Sequence, residues 1–114
     1  MFRKEKPGYY KGRHYTEYVE DVEQLKRRGK LEEAASLLIK LVEATESESR
    51  AEGIGVAPWY YEQLAIIHSA AKDYVSEVAI LERFARQKHA PGRMPDKLLQ
   101  RLDKAKARLA KTRR

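Results

Sequence analysis

Apolar positions in this chain recur at helical spacing and nowhere alternate with period two for more than a few residues, which predicts an all-α protein. Residues 1–13 carry no stripe: Pro7, Gly8 and Gly12 stand among Lys, Arg and the pair Tyr9-Tyr10, and the segment reads as a basic flexible arm without regular structure. From His14 onward Tyr15, Tyr18, Val22 and Leu25 fall at i, i+3, i+7 and i+10. That stripe ends at Arg27-Arg28-Gly29, a basic last turn and a glycine suited to a helix C-terminus, so a first helix is predicted over 15–28. Leu31, Ala34, Ala35, Leu38, Leu41, Val42 and Thr45, with Glu32 and Glu33 in the first turn, predict a second helix over 31–49. Gly53 and Gly55 mark a loop, read as a flexible hinge, before Pro58 opens a third helix over 58–71. The apolar arc of that helix, which includes Tyr60, Tyr61, Leu64, Ala65, Ile67 and His68, is broad enough to pack on two sides. Asp73 caps a fourth helix over 73–88, built on Tyr74, Val75, Val78, Leu81 and Phe84. After the Pro91-Gly92 break, Pro95 and Asp96 start a fifth helix over 95–111 with a narrow stripe of Leu98, Leu99, Leu102, Ala105 and Leu109.

A length of 114 residues fits one domain, placed at 14–111 between the arm and a short basic tail, 112–114. The absence of cysteine excludes disulfides, thiolate chemistry, zinc ribbons and iron–sulfur sites. No apolar run approaches the roughly 20 residues of a membrane helix, and the start Met1-Phe2-Arg3-Lys4-Glu5-Lys6 lacks the apolar stretch of a signal peptide. A cytoplasmic protein that does not enter membranes is expected. The net charge of +7 is uneven: residues 1–16 hold five Lys/Arg against one acid, 17–85 hold eight against fourteen, and 86–114 hold eleven against two. An acidic body therefore carries two basic ends. Such ends either solvate a helix face or attract polyanions by releasing counterions.

The first and second predicted helices match the third and fourth when Gly29-Lys30-Leu31 is laid on Lys72-Asp73-Tyr74, an offset of 43 residues. Tyr18 then falls on Tyr61, Val22 on Ala65, Leu25 on His68, Ala34 on Glu77, Leu38 on Leu81 and Leu41 on Phe84. Over about residues 14–88 these positions resemble the tetratricopeptide repeat (TPR), through Tyr61, Leu64, Ala65, Asp73-Tyr74 and Leu81, and through Tyr18, Leu25, Gly29-Lys30-Leu31, Ala34 and Leu38. The chain departs from that pattern at Asp21, Lys72 and Glu77, in lacking a proline at the close of each repeat, and in an offset nine residues longer than usual. It is also similar to short TPR-like proteins of bacteria. The resemblance implies a stack of two helical hairpins with the fifth helix as cap, and a concave groove in which a partner's peptide or helix lies. Carried onto this sequence, the groove residues are Thr16, Val19, Glu23, Lys26 and Arg27 from the first helix, and Trp59, Glu62, Ile66, Ser69 and Ala70 from the third. Chaperone-binding members hold a terminal carboxylate with a set that includes asparagine, and this chain has none.

Candidate chemistry is sparse. His14, His68 and His89 stand far apart with no second ligand at i+3 or i+4, and His68 falls where the repeat buries an aromatic, so no metal site is expected. The pairs Glu20-Asp21 and Glu32-Glu33 are adjacent and splay about 100° apart on a helix, too far to share a proton. Gly53-x-Gly55-x-x-Pro58 follows a helix instead of a strand and has a proline in the third place, so it is not read as a phosphate loop. With no nucleophile and base in a supporting turn, neither an enzyme nor a cofactor is expected. Trp59, Tyr60 and Tyr61 occupy three different helix faces, so one of them must turn outward, and Trp59 is the candidate anchor.

Two functions compete. In the first, a non-enzymatic interaction protein binds an acidic or amphipathic segment of another protein, with Trp59 as anchor and Glu62, Lys26 and Arg27 orienting it. In the second, a nucleic-acid-associated protein grips phosphates with Arg3, Lys4, Lys6, Lys11 and Arg13 of the arm and Arg101, Lys104, Arg108, Lys111, Arg113 and Arg114 of the C-terminal helix and tail, with Tyr9 or Tyr10 stacking on bases. The arm shields the first helix, or that surface pairs with a second copy as a homodimer; the sequence leaves both open.

Overall fold

The structure is a computed structural model that describes residues 5–113. A two-stranded antiparallel hairpin, β1 (Tyr9–Tyr10) and β2 (Arg13–His14), precedes α1 (Val19–Arg27), α2 (Leu31–Glu52), α3 (Pro58–Ala70), α4 (Tyr74–Ala85) and α5 (Met94–Thr112). The fold is all-α: among the described residues there are five α-helices and only this small sheet. Each helix packs on the next in the chain, and α5 also reaches α3. One core runs through all of them: Val22 of α1, Leu38 and Leu41 of α2, Tyr61 and Leu64 of α3, Leu81 and Phe84 of α4, and Leu98 of α5 are all but removed from solvent. Burying each such aliphatic or aromatic side chain stabilises the fold by roughly 1.5–3 kcal/mol. No helix among the described residues is long and apolar enough to cross a membrane.

The turns joining α1 to α2 and α3 to α4 carry one hydrogen-bond pattern. The Gly29 N–H donates to the Lys26 carbonyl at 3.0 Å and the Lys30 N–H to Leu25 at 2.9 Å; 43 residues later Lys72 donates to Ser69 at 3.0 Å and Asp73 to His68 at 2.9 Å. Both are helix-ending turns that need a left-handed residue, which Gly29 supplies at φ 72° and Lys72 at φ 58°. Of the residues aligned by the same offset, Val22 and Ala65, Ala34 and Glu77, Leu38 and Leu81, and Leu41 and Phe84 are all buried, whereas buried Val42 and Thr45 fall on exposed Ala85 and Lys88.

Several predicted boundaries shift for local reasons. Residues 15–18, assigned to the first helix, form a 3-10 turn capped by His14, whose Nδ1 accepts from the Thr16 N–H, while Glu17 reaches back to the His14 N–H at 3.1 Å. The arm was read as lacking regular structure, yet Lys11 and Gly12, both at positive φ, make the two-residue turn that pairs Tyr9 with His14 and Tyr10 with Arg13. Helix α2 runs one turn past residue 49, because Glu46 and Ser49 face inward and the chain stops only at left-handed Gly53. Helix α4 ends at Ala85, short of residue 88. The expected hinge after α2 is tied down. The Val56 N–H donates to the Lys88 carbonyl at 3.0 Å, Ala57 N–H donates to Thr45 Oγ1 at 2.9 Å, and Gly55, at φ 89°, presses so closely on His89 and Ala90 that a Cβ would lie 2.8 Å from the His89 carbonyl carbon.

Candidate functional site

One line of residues on α1 and one on α3 are connected through Lys26 and through the 3-10 turn that precedes α1. Lys26 donates to Gln63 Oε1, and the Tyr60 hydroxyl donates to the Tyr15 carbonyl at 3.1 Å, with the two tyrosine rings edge-on at 5.3 Å. On α1, Val19 is 38% exposed and Glu23 and Lys26 are half-buried along the same side. On α3, Trp59, Glu62, Ile66 and Ser69 follow at i, i+3, i+7 and i+10, with Ile66 37% exposed. Trp59 is half-buried, edge-on to the Tyr60 ring at 5.0 Å, so only part of the indole is offered outward. Arg27 stands apart from this group: it pairs with Glu20 at 2.7 Å on the solvent side of α1, as their seven-residue spacing allows.

The C-terminal helix joins this face. Arg108 Nη1 donates to Ser69 Oγ at 2.9 Å, and Lys97 Nζ lies 3.9 Å from Glu62. Between α3 and α5 lies a hollow of about 340 Å³, lined by Glu62, Lys97, Leu98, Gln100, Arg101, Lys104 and Arg108. Residues read from the sequence as members of two rival sites, Glu62 of the groove and Arg101, Lys104 and Arg108 of the basic end, therefore share one cavity. Behind it, Glu77 is completely buried, with Arg101 Nη2 at 3.4 Å and Arg108 Nη2 at 3.5 Å from its Oε2. Its Oε1 and the Arg101 Nε have no protein partner. Sequence reasoning did not assign Glu77 a role. The available signal was an acid at a small-residue position facing a helix with two arginines seven residues apart beside its apolar stripe.

The basic arm is placed differently. Lys6 Nζ lies 5.9 Å over the Tyr9 ring and Lys11 Nζ 5.5 Å over Tyr10, and Arg13 pairs with Asp21 at 3.2 Å while its guanidinium lies 4.1 Å over Tyr18. The hydrogen bond to Asp21 raises the Arg13 pKa, and the pair balances this charge locally. Tyr9 and Tyr10 are half-buried against His14 and Tyr18. The hairpin packs on α2, whereas α5 packs on α3 and α4, so the two cationic sets belong to different parts of the fold. Lys111 and Arg113 are exposed near the end of α5; Arg3, Lys4 and Arg114 lie outside the described residues.

The three histidines occupy three separate settings. His14 donates through Nε2 to Glu48 at 2.6 Å and accepts the Thr16 hydroxyl at Nδ1, which fastens the hairpin to α2. His89 stacks on Phe84 at 4.3 Å, and half-buried His68 borders a shallow apolar groove with Ile39 and Ile80. No family model, no curated protein and no solved structure matches this chain.

Proposed function

We propose that this chain is a non-enzymatic, cytoplasmic interaction module of TPR-like build, which takes up a peptide or helix of another protein on the face shared by α1 and α3. The observation that carries this reading is the set of outward apolar side chains, Val19 on α1 and Ile66 with part of Trp59 on α3, each sharing its side of the helix with half-buried polar residues, Glu23 and Lys26 on α1 and Glu62 on α3. Partially wet aromatic and aliphatic anchors inside a polar rim are what a peptide-binding surface requires. The matching turns and the four buried pairs 43 residues apart support stacked hairpins whose first helices form one face. The rival reading, phosphate binding through the basic ends, is supported by the cations of α5 but not by the arm, whose tyrosines and Arg13 are already engaged.

Affinity capture from the host with wild type, Ile66→Ser and Trp59→Ala, followed by direct titration of each recovered protein, tests this. Partners that bind wild type and lose about tenfold or more in affinity with both variants, at unchanged melting temperature for Ile66→Ser, are the expected result. Recovery of nucleic acid alone, lost on trimming residues 111–114, overturns it.

A further inference from the structure

We propose that the hollow between α3 and α5 is an acidic-residue subsite: the partner segment that lays its apolar side chains on Val19, Trp59 and Ile66 continues into this hollow with aspartates or glutamates. The inference rests on the peptide-binding reading above and names the chemistry of the partner. Lys97, Arg101, Lys104 and Arg108 fall at i, i+4, i+7 and i+11, which puts them on one side of α5 in a row roughly 16 Å long. Among the described residues the acids that pair with these four cations are Glu62 and the buried Glu77, which leaves two positive charges over.

Two of the four are positioned in advance. Glu77 attracts both guanidiniums from below, and Ser69 holds Arg108 from the side, so less rotamer freedom is lost when a ligand arrives. At 3.4 and 3.5 Å the Glu77 contacts are long for charge-assisted hydrogen bonds, and each guanidinium keeps donors for a second carboxylate. The hollow adjoins the peptide face through Glu62, one helical turn from Ile66. Among the described residues no aromatic side chain lines it, and the Tyr74 ring near it is covered by the Arg108 guanidinium at 5.7 Å, so the hollow offers little for the base stacking that single-stranded nucleic-acid binding draws on. The Glu62 carboxylate in its wall would also repel a phosphodiester backbone, whereas a peptide with spaced acids can avoid it.

The test titrates the full chain with three labelled probes: a short peptide of leucines and alanines followed by glutamates, the same peptide with glutamines for glutamates, and an oligo(dT) of equal length. The variant Lys97→Gln/Lys104→Gln changes two exposed side chains and leaves the core untouched. The glutamate peptide is expected to bind wild type about tenfold more tightly than the glutamine peptide. The double variant should weaken the glutamate peptide about fivefold to tenfold and leave the glutamine peptide unchanged, with the difference shrinking from about 50 to about 200 mM salt. Equal affinity for both peptides, no effect of the double variant, no binding of the glutamate peptide, or tighter binding of oligo(dT) overturns the subsite. Ile66→Ser reports on the apolar face separately. If it changes neither peptide's affinity while the double variant acts, the face fails and the subsite stands; if Ile66→Ser weakens both peptides and the double variant weakens neither, only the subsite fails.

Discussion

The protein buries two carboxylates on the second helices of its two hairpins, Glu46 on α2 and Glu77 on α4, and treats them in opposite ways. Glu46 receives both Nε and Nη2 of Arg83, at 2.8 and 2.7 Å, and the Tyr61 hydroxyl at 2.8 Å. That short, two-pronged arrangement spans α2, α3 and α4 and satisfies both oxygens. The bond to Glu46 raises the Arg83 pKa, and burial first, Glu46 second, pushes the Tyr61 phenol well above its usual range. Glu77 is buried more deeply, yet its two guanidiniums stand at 3.4 and 3.5 Å and one oxygen has no protein partner. The same residue type thus makes a lock at one place, with both oxygens met at short distance, and at the other a loosely met support under cations that face a hollow. What separates them is where the arginine comes from. Arg83 lies on α4, the helix that carries the core residues Leu81 and Phe84, while Arg101 and Arg108 reach in from the C-terminal helix; exposure does not separate them, at 32% for Arg83 against 31% and 41%.

Breaking the lock has the largest expected effect. Glu46→Met leaves the Tyr61 hydroxyl without an acceptor in a fully buried site and Arg83 without its bidentate partner, and should lower stability by about 3 kcal/mol in urea unfolding. A loss under about 1 kcal/mol would mean that Glu46 is no lock. A smaller effect is read at high pH. Tyr60 and Tyr61 both have phenols raised above the ordinary 10.0, chiefly by burial. The folded protein therefore keeps those protons while the unfolded chain loses them, so their contribution is full below pH 10 and declines above it, by about 1.4 kcal/mol per pH unit for each phenol. Tyr61→Phe should cost about 1 kcal/mol at neutral pH and flatten this alkaline decline by one phenol's share. An unchanged slope between about pH 10 and 11 would show that Tyr61 is not held protonated by the fold.

How much of this was legible follows from the range of the interactions. The five helices were readable because their stripes, Gly29, Pro58 and the Asp73 cap are local signals. The hairpin was missed because Lys11-Gly12 is a weak form of its turn signal, and the 3-10 turn because its cap is a histidine. On the candidate site, the lines Val19, Glu23, Lys26 and Trp59, Glu62, Ile66, Ser69 came from the resemblance to the TPR, and helix spacing accounts for each set sharing one side of its helix. Arg27, placed in the groove by the same resemblance, instead pairs with Glu20 on the solvent side of α1, a choice that the sequence left undetermined. The placing of α5 against α3 was not, since the contacts that bring Arg108 to Ser69 and Arg101 to Glu77 cross 39 and 24 residues and depend on how Leu98, Leu102 and Ala105 seat in the core. A periodic stripe says which side of a helix is buried; it does not say which neighbour the opposite edges will meet.

The smallest effect on stability is expected from the same substitution at the second carboxylate. Glu77→Met removes a charge that is wholly desolvated and only loosely met, so the gain from no longer burying it offsets the loss of two long contacts. Arg101 and Arg108 are exposed enough to hydrate once released, which was not open to Tyr61 in the first case. Stability should stay within about 1 kcal/mol of wild type, against about 3 kcal/mol for Glu46→Met under the same conditions. The hollow meanwhile gains a unit of uncompensated positive charge, so the glutamate-tailed peptide should bind Glu77→Met at least as tightly as wild type, even though the two arginines are less firmly oriented. If the two methionine variants unfold at the same urea concentration, the carboxylates are equivalent and the contrast fails. If stability is kept but the peptide binds more weakly, Glu77 acts chiefly by positioning the arginines, and orientation outweighs net charge at this site.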